Sequence, residues 1–397
     1  MRRTRLALFW MHLVDEPLVA LYSLFPFLLS KDFNANAYQI TMFITLRPLL
    51  SVLSFYWGSH VSYKKNKLLP NLIGAWVLGR LPFLLFPFIH HFWYFLIACG
   101  LYQLFNKAGT PALIEILKRN IPKQPREHLY SLCFIWSFLE SVLLGVVFGF
   151  VLDHQLAEWK FLFFMGALLS LTSIFVQMRI QLQPEVEEPV APPANRLLHP
   201  LKETISLLRQ RPDFAHFQWS FMLGGFVLMF IAPALAIYYA KTLNLSHGVI
   251  AFARFACMGL GVTLATMFWK KRMELYAAHR STLWVLIGFA TFPLLLLFAP
   301  FSNMFLFLAF FLYGIAQAGS HLLWNLGGTL FAGEGDSSPF TSTSILFIGL
   351  RGAVGPILGG ILTDIWGPVP VIIAGLVILC VGTTWLYSRR VKTFVVE

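Results

Sequence analysis

Long apolar runs separated by short polar turns constrain this chain more than any other feature. A helix needs about 20 mostly apolar residues to cross the hydrocarbon of a bilayer. Runs of that kind cover 7–30, 38–61, 69–89, 92–117, 129–152, 159–178, 214–240, 247–269, 281–300, 303–331, 342–364 and 367–388. Backbone in lipid must satisfy its own hydrogen bonds, and runs this long do so as helices. The expectation is an all-α membrane protein with twelve transmembrane helices. Composition agrees, with 57% hydrophobic and 12% charged residues, where soluble domains are about a quarter charged.

The basic residues set an orientation. The formal charge of +12 would suit a nucleic-acid binder, but the Lys and Arg fall in short clusters between apolar runs, which is how membrane topology is written. With the N-terminus inside, the inner clusters are Arg2/Arg3/Arg5, Lys64/Lys65/Lys67, Lys118/Arg119/Lys123/Arg126, Lys270/Lys271/Arg272 with Arg280, and Arg389/Arg390/Lys392. The outer loops hold only Lys31, Lys160 and Lys241. Both termini are expected in the cytoplasm. The acidic loop Glu334-Gly-Asp336 gives no support, but acids weigh little in this rule. Arg2-Arg3-Thr-Arg5 before an apolar stretch mimics a signal peptide. No small-residue cleavage site follows, so it reads as a retained first helix in a plasma- or inner-membrane protein. Cys99, Cys133, Cys257 and Cys380 lie inside apolar runs without metal-ligand spacing and read as small buried residues.

The sixth and seventh runs are parted by a polar stretch, 181–213. Pro184, Pro189, Pro192 and Pro193 make its first part irregular. After Pro200, Leu201, Ile205 and Leu208 share one helical face, so a short amphipathic helix on the inner membrane surface is one reading and a partly ordered linker the other. The domains expected are 1–180, a linker 181–213, and 214–397.

The halves resemble each other at an offset of 210 or 211. Lys31-Asp-Phe-Asn34 meets Lys241-Thr-Leu-Asn244. Tyr102 and Asn106 meet Tyr313 and Gln317. Gly145-Val-Val-Phe-Gly149 meets Gly355-Pro-Ile-Leu-Gly359, and Asp153 meets Asp364. Two six-helix halves in parallel repeat describe a secondary transporter better than other membrane classes.

Several stretches then carry a family resemblance. Gly352-Ala-Val-Gly355-Pro356-Ile-Leu-Gly359-Gly360, Ala108-Gly-Thr-Pro-Ala-Leu-Ile followed by Pro122 and Arg126, and Glu158-Trp-Lys-Phe-Leu-Phe163 resemble motifs of the major facilitator superfamily. The resemblance covers nearly the whole chain. It departs at Gly58-Ser-His-Val-Ser62-Tyr-Lys64-Lys65-Asn-Lys67, where Ser62 stands for the family's acid, which puts the family's charge-relay gate in doubt. The chain reads as a divergent member. The resemblance implies that helices 1, 4, 7 and 10 line a central cavity, that 2, 5, 8 and 11 form the seam between halves, and that 3, 6, 9 and 12 are outer supports.

Charges at membrane depth are the candidate site. Asp15-Glu16-Pro17 lies inside the first apolar run. A helix starting at Pro17 would be only roughly 21 Å long, short of the roughly 30 Å core, so the acids are expected within the membrane. Two readings stand: a cavity or coupling role, or a buried structural ion pair. Arg47, Arg80, Lys107, Glu140, Arg254 and Arg351 also lie at depth, with Glu115 near the inner end of the fourth helix. An unpaired charge there costs at least about 2.5–3.5 kcal/mol. Each must pair, bind substrate or change protonation. Glu140 with Arg254, and Arg47 towards Arg351, are the pairings suggested across the seam. Polar stripes spaced by four run along Tyr102/Asn106/Thr110 and along Tyr313/Gln317/His321/Asn325. The candidate substrate and coupling residues are therefore Asp15, Glu16, Arg47, Asn106, Lys107, Glu140, Arg254, Gln317, His321 and Arg351. Gly145, Gly149, Gly355, Pro356 and Gly359 are candidates for close helix packing or for a gating seam.

The expected function is secondary active transport of a small polar or anionic metabolite, coupled to protons, by a monomer without cofactor or metal. Its partners would be substrate, protons and the lipid bilayer, not nucleic acid. Efflux of hydrophobic drugs is the alternative within the class, and an uncoupled channel or lipid scramblase the alternative outside it. The zinc-protease, nucleophile-elbow and phosphate-loop patterns are missing from the sequence, so no enzymatic role is expected.

Overall fold

The computed structural model describes residues 2–63, 67–182, 199–275, 278–332 and 338–388. The prolines expected to break up the linker, the Glu334–Asp336 loop, Lys64, Lys65 and the basic cluster Arg389/Arg390/Lys392 lie outside them. Every regular element among the described residues is helical: α1 Arg2–Lys31, α2 Ala37–Tyr63, α3 Leu68–Arg80, α4 Phe92–Asn120, α5 Lys123–Asp153, α6 Trp159–Leu171, α7 Ile174–Gln177, α8 His199–Gln210, α9 Pro212–Ile237, α10 His247–Ala251, α11 Met258–Leu275, α12 Ala278–Phe298, α13 Asn303–Ala332, α14 Ser338–Trp366 and α15 Pro368–Ser388.

Nine helical stretches among the described residues are long and apolar enough to span a membrane. The stretches of α2, α4 and α5, at 27, 29 and 31 residues, have the length but fall outside that group. α4 carries Lys107, Glu115, Lys118 and Arg119. Large apolar side chains left uncovered fit a lipid environment. On α6 they are Phe161, Met165, Leu168 and Leu169, and on α15 Ile373, Val377, Val381 and Trp385, stripes at helical spacing.

Proline and glycine chemistry shapes the helices locally. α1 runs through Pro17 and Pro26 without interruption, so Asp15 and Glu16 stand mid-helix as expected. α3 ends at Arg80, where Leu81-Pro82 starts a 3-10 turn to Leu85. The eighth apolar run is not one smooth helix. α10 passes through a π turn, Phe252–Cys257, into α11, and Arg254 lies in that turn. A π turn within a helix often marks a functional position. The linker does form a helix, α8. Its Thr204 is buried and bonded to Thr343 of α14 at 3.3 Å, while Ile205 stays exposed.

Two compact units make up the chain. The first holds residues 1–34, 42–193 and 245–252; the second holds 35–41, 194–244 and 253–397. Each therefore takes in a short segment from the other half of the sequence. The internal repeat shows in the backbone: Asn34 and Asn244, at the expected offset, both adopt the left-handed conformation, with φ of 55° and 45°. Asparagine tolerates that region better than most residues.

In the first unit, an aromatic cluster packs around Phe25, Phe83, Phe86, Phe95, Trp159 and Phe163, from α1, the 3-10 turn, α4 and α6. The second unit packs by close backbone approach. A Cβ on Gly314 of α13 would overlap the Met258 carbonyl of α11, and one on Gly261 of α11 would overlap the Phe311 carbonyl. The Trp269 indole adds a 2.6 Å hydrogen bond to the Ile315 carbonyl along the same contact. Gly355 and Gly359 of α14 lie against α9, where a Cβ at 359 would overlap the Phe230 carbonyl. Pro356 is buried between them. The first-half motif differs: Gly145 is buried, and a Cβ on Gly149 would stand 2.6 Å from the Gly248 Cα at the start of α10. The cysteines are free; Cys99 and Cys133 are buried as expected, but Cys257 is half-buried and Cys380 exposed.

Candidate functional site

In the first unit the charges sort into two groups. Asp15 of α1 and Arg80 of α3 form a two-pronged pair, with Arg80 Nη2 at 2.8 Å from Oδ2 and Nε at 3.2 Å from Oδ1. Arg80 is fully buried and Asp15 is 8% exposed. The Ser170 hydroxyl of α6 donates to Asp15 Oδ1 at 2.6 Å. The guanidinium lies 3.6 Å over the Trp76 ring and 5.0 Å from that of Tyr102, and Asn106 of α4 accepts a long 3.5 Å contact from Nη2. The Trp76 indole donates to the Ser170 carbonyl at 3.1 Å. Four helices thus meet on one ion pair. Geometry of this kind offsets the desolvation of both charges, and Asp15, Tyr102 and Asn106 all face the Arg80 side chain.

Glu16, the next residue, faces elsewhere. It is 8% exposed and accepts a short hydrogen bond from Ser141 of α5. Glu140, beside Ser141 in sequence, lies within electrostatic reach of Glu16. Its Oε2 is buried with no hydrogen-bond partner among the described residues. Among the described residues neither glutamate joins an ion pair. The expected inner-end acid, Glu115, pairs with Arg119 one turn on at 3.0 Å. Arg47 and Lys107 lie within electrostatic reach of each other, and Arg47 also of Tyr22 and Tyr102.

The second unit gathers arginine and tyrosine. Arg351 of α14 donates from Nη1 to the Phe221 carbonyl of α9 at 3.1 Å, with its guanidinium 5.2 Å from the Phe221 ring. Gly225 makes room for it, since a Cβ there would overlap the guanidinium. Its Nε is buried without a partner among the described residues, as is the Tyr239 hydroxyl. Tyr313 of α13 stacks on Phe292 at 4.5 Å, within electrostatic reach of both Arg254 and Arg351. One turn further on, Gln317 Nε2 stands 3.2 Å from His321 Nε2, continuing the polar stripe. The side chain of Asn325 lies outside the described residues.

One cluster escaped the sequence. His247, at the start of α10, is 9% exposed. Its Nδ1 is 3.0 Å from Asp153 Oδ1 at the end of α5, and its Nε2 is 3.0 Å from Asp32 Oδ2 just past α1. Asp153 also accepts the backbone N–H groups of His247 and Gly248, at 2.7 and 2.8 Å. These partners are 94 and 215 residues apart from His247 in sequence. Only the repeat had marked Asp153, and nothing had marked His247.

A family profile described as Major Facilitator Superfamily matches residues 18–338. No curated protein sequence matches the chain. Solved structures match over almost its full length. The nucleoside transporter NupG is 14% identical, with a TM-score of 0.73, covering 97% of this chain and 98% of its own. A bacterial homolog of the human lysosomal transporter Spinster, inward-facing and unoccupied, is 12% identical at a TM-score of 0.72, covering 97% and 96%. A POT family transporter in complex with 5-aminolevulinic acid is 11% identical at 0.76, covering 97% and 95%. At these identities the structures share the fold. With the profile spanning most of the sequence, and with apolar helices and charge clusters buried among them, the chain belongs to the major facilitator superfamily, a multi-pass integral membrane protein of the transporter class.

Proposed function

We propose that this protein is a proton-coupled secondary active transporter of a small polar or anionic metabolite, working by alternating access. The reading includes twelve spans in two six-helix halves with both termini in the cytoplasm, as the Lys and Arg distribution suggests. The observation that carries it is the Glu16–Glu140 neighbourhood: two acids close together at membrane depth, with no ion pair among the described residues. Two carboxylates within electrostatic reach of each other in a low dielectric favour protonation of one of them. A change of conformation that parts them, or brings a cation near, releases the proton. The Arg351, Arg254 and Tyr313 group of the second unit supplies the chemistry for an anion: guanidinium donors, one with a free buried Nε, beside aromatic faces.

The test is thermal stability of the detergent-purified protein against a metabolite panel at pH 5.5 and 7.5, with nucleosides, small peptides and 5-aminolevulinic acid included because structural neighbours carry such compounds. A ligand of the folded state raises the melting temperature by mass action. The expected result is an anionic or polar hit whose affinity depends on pH in the wild type and not in Glu16→Gln, and which Arg351→Ala weakens. A hit with the same affinity at both pH values would refute proton coupling through this pair. A panel answered only by hydrophobic compounds would favour drug efflux. A panel without hits on folded protein would favour a lipid substrate.

A further inference from the structure

Both ring nitrogens of His247 lie at hydrogen-bond distance from a carboxylate, Nδ1 from Asp153 and Nε2 from Asp32, each at 3.0 Å. Carboxylates accept and do not donate. A neutral imidazole donates from one nitrogen only, whereas imidazolium donates from both. The arrangement is therefore complete only when both ring nitrogens carry a proton. The remaining groups facing it are Lys31, whose ammonium donates to the Leu245 carbonyl, Phe27, whose ring stands 5.7 Å away edge-on, and Ser246, which caps the Val249 N–H at 3.2 Å. His154, next to Asp153, is exposed and turned to the Phe150 carbonyl.

The repeat shows that the fold does not require this cluster. At the offset of 210, Ala37 replaces His247 and Thr242 replaces Asp32. There α2 starts with an uncharged capping box, in which Asn36 and Gln39 bond each other's backbone at 3.1 and 2.9 Å. At the equivalent positions the other half keeps one acid, Asp364 in place of Asp153, but has neither the imidazole nor the second carboxylate. The residues held by His247 and Asp153, 245–252, belong to the first unit, while the chain on either side of them belongs to the second.

We propose that His247, between Asp32 and Asp153, is a second proton-binding site, separate from Glu16 and Glu140, whose proton fastens residues 245–252 into the first unit. In the proposed orientation it lies at the outer end of α1 and samples external pH. With the proton, two charge-assisted hydrogen bonds hold the segment. Without it, one ring nitrogen faces a carboxylate as acceptor against acceptor, and that bond is lost.

Hydrogen–deuterium exchange of the full chain in detergent micelles, read on peptides covering 245–253 at pH 5.5 and 8.0, tests this. After correction for intrinsic exchange, protection in the wild type is expected to fall about tenfold at the higher pH, the worth of one charge-assisted bond. His247→Gln should remove that dependence, and Glu16→Gln should leave it intact. Wild-type protection that does not change with pH overturns the proposal. So does an unchanged dependence in His247→Gln, and loss of it in Glu16→Gln would show that the two sites are one. If His247→Gln fails to fold, Asp32→Asn serves in its place: a flattened response supports the site, and an unaltered one refutes it. The exchange measurement needs no substrate, so it stands or falls independently of the panel.

Discussion

Asp15→Asn tests the division of labour between neighbouring acids. The substitution keeps the shape of the side chain and removes its charge, leaving Arg80 as a fully buried cation. Asp15 engages Arg80 through two hydrogen bonds and Ser170 through a third. Removing one partner of a buried pair costs about 3–5 kcal/mol. At roughly 2–4 °C per kcal/mol for a unit of some 200 residues, the melting temperature should drop by roughly 6–20 °C. Asp15→Leu combined with Arg80→Met removes both charges and should recover most of the loss, because an apolar pair of similar volume does not need to be solvated. The assay is a melting curve by size-exclusion fluorescence on wild type, Asp15→Asn and the double variant. If Asp15→Asn melts with the wild type while ligand binding loses its pH dependence, Asp15 is a coupling acid and its structural role is refuted.

The other predictions concern proton chemistry and backbone approach. Glu16→Gln keeps an acceptor for Ser141 and should melt within about 1 kcal/mol of the wild type, in contrast to Asp15→Asn. Gly359→Ala places a methyl on the Phe230 carbonyl and Gly314→Ala one on the Met258 carbonyl; each should cost about 1–3 kcal/mol or prevent folding. Gly74→Ala, with open space at its Cβ, should be neutral or stabilise by up to about 1 kcal/mol. Asn244→Gly should be nearly neutral and Asn244→Ala destabilising by about 1–2 kcal/mol, because φ is 45° there. Equal melting of these two variants would argue against a left-handed turn.

Much of the architecture was legible because membrane helices are written locally. Apolar length and proline at helix interiors each depend on residues close in the chain. The repeat was legible too, and Asn34 and Asn244 show it in their backbone angles. Gly355 and Gly359 announced a close approach, but not its partner; they face α9 of their own unit. The matching contact of α11 and α13 through Gly261 and Gly314 carried no such motif, since neither helix has two glycines spaced by four.

The sequence by itself determined that ionisable groups lie at membrane depth, because a run long enough to span left them nowhere else. It did not determine which of them pair. Asp15 and Glu16 are adjacent, of one charge type and equally buried, and no local rule separates them. Tertiary structure does, because consecutive residues on a helix point about 100° apart, one towards Arg80 and Ser170, the other towards Ser141. His247 was invisible for the same reason: its two carboxylates arrive from the ends of α1 and α5. Burial follows from local composition, whereas the meeting of charges is decided by the packing of helices distant in sequence.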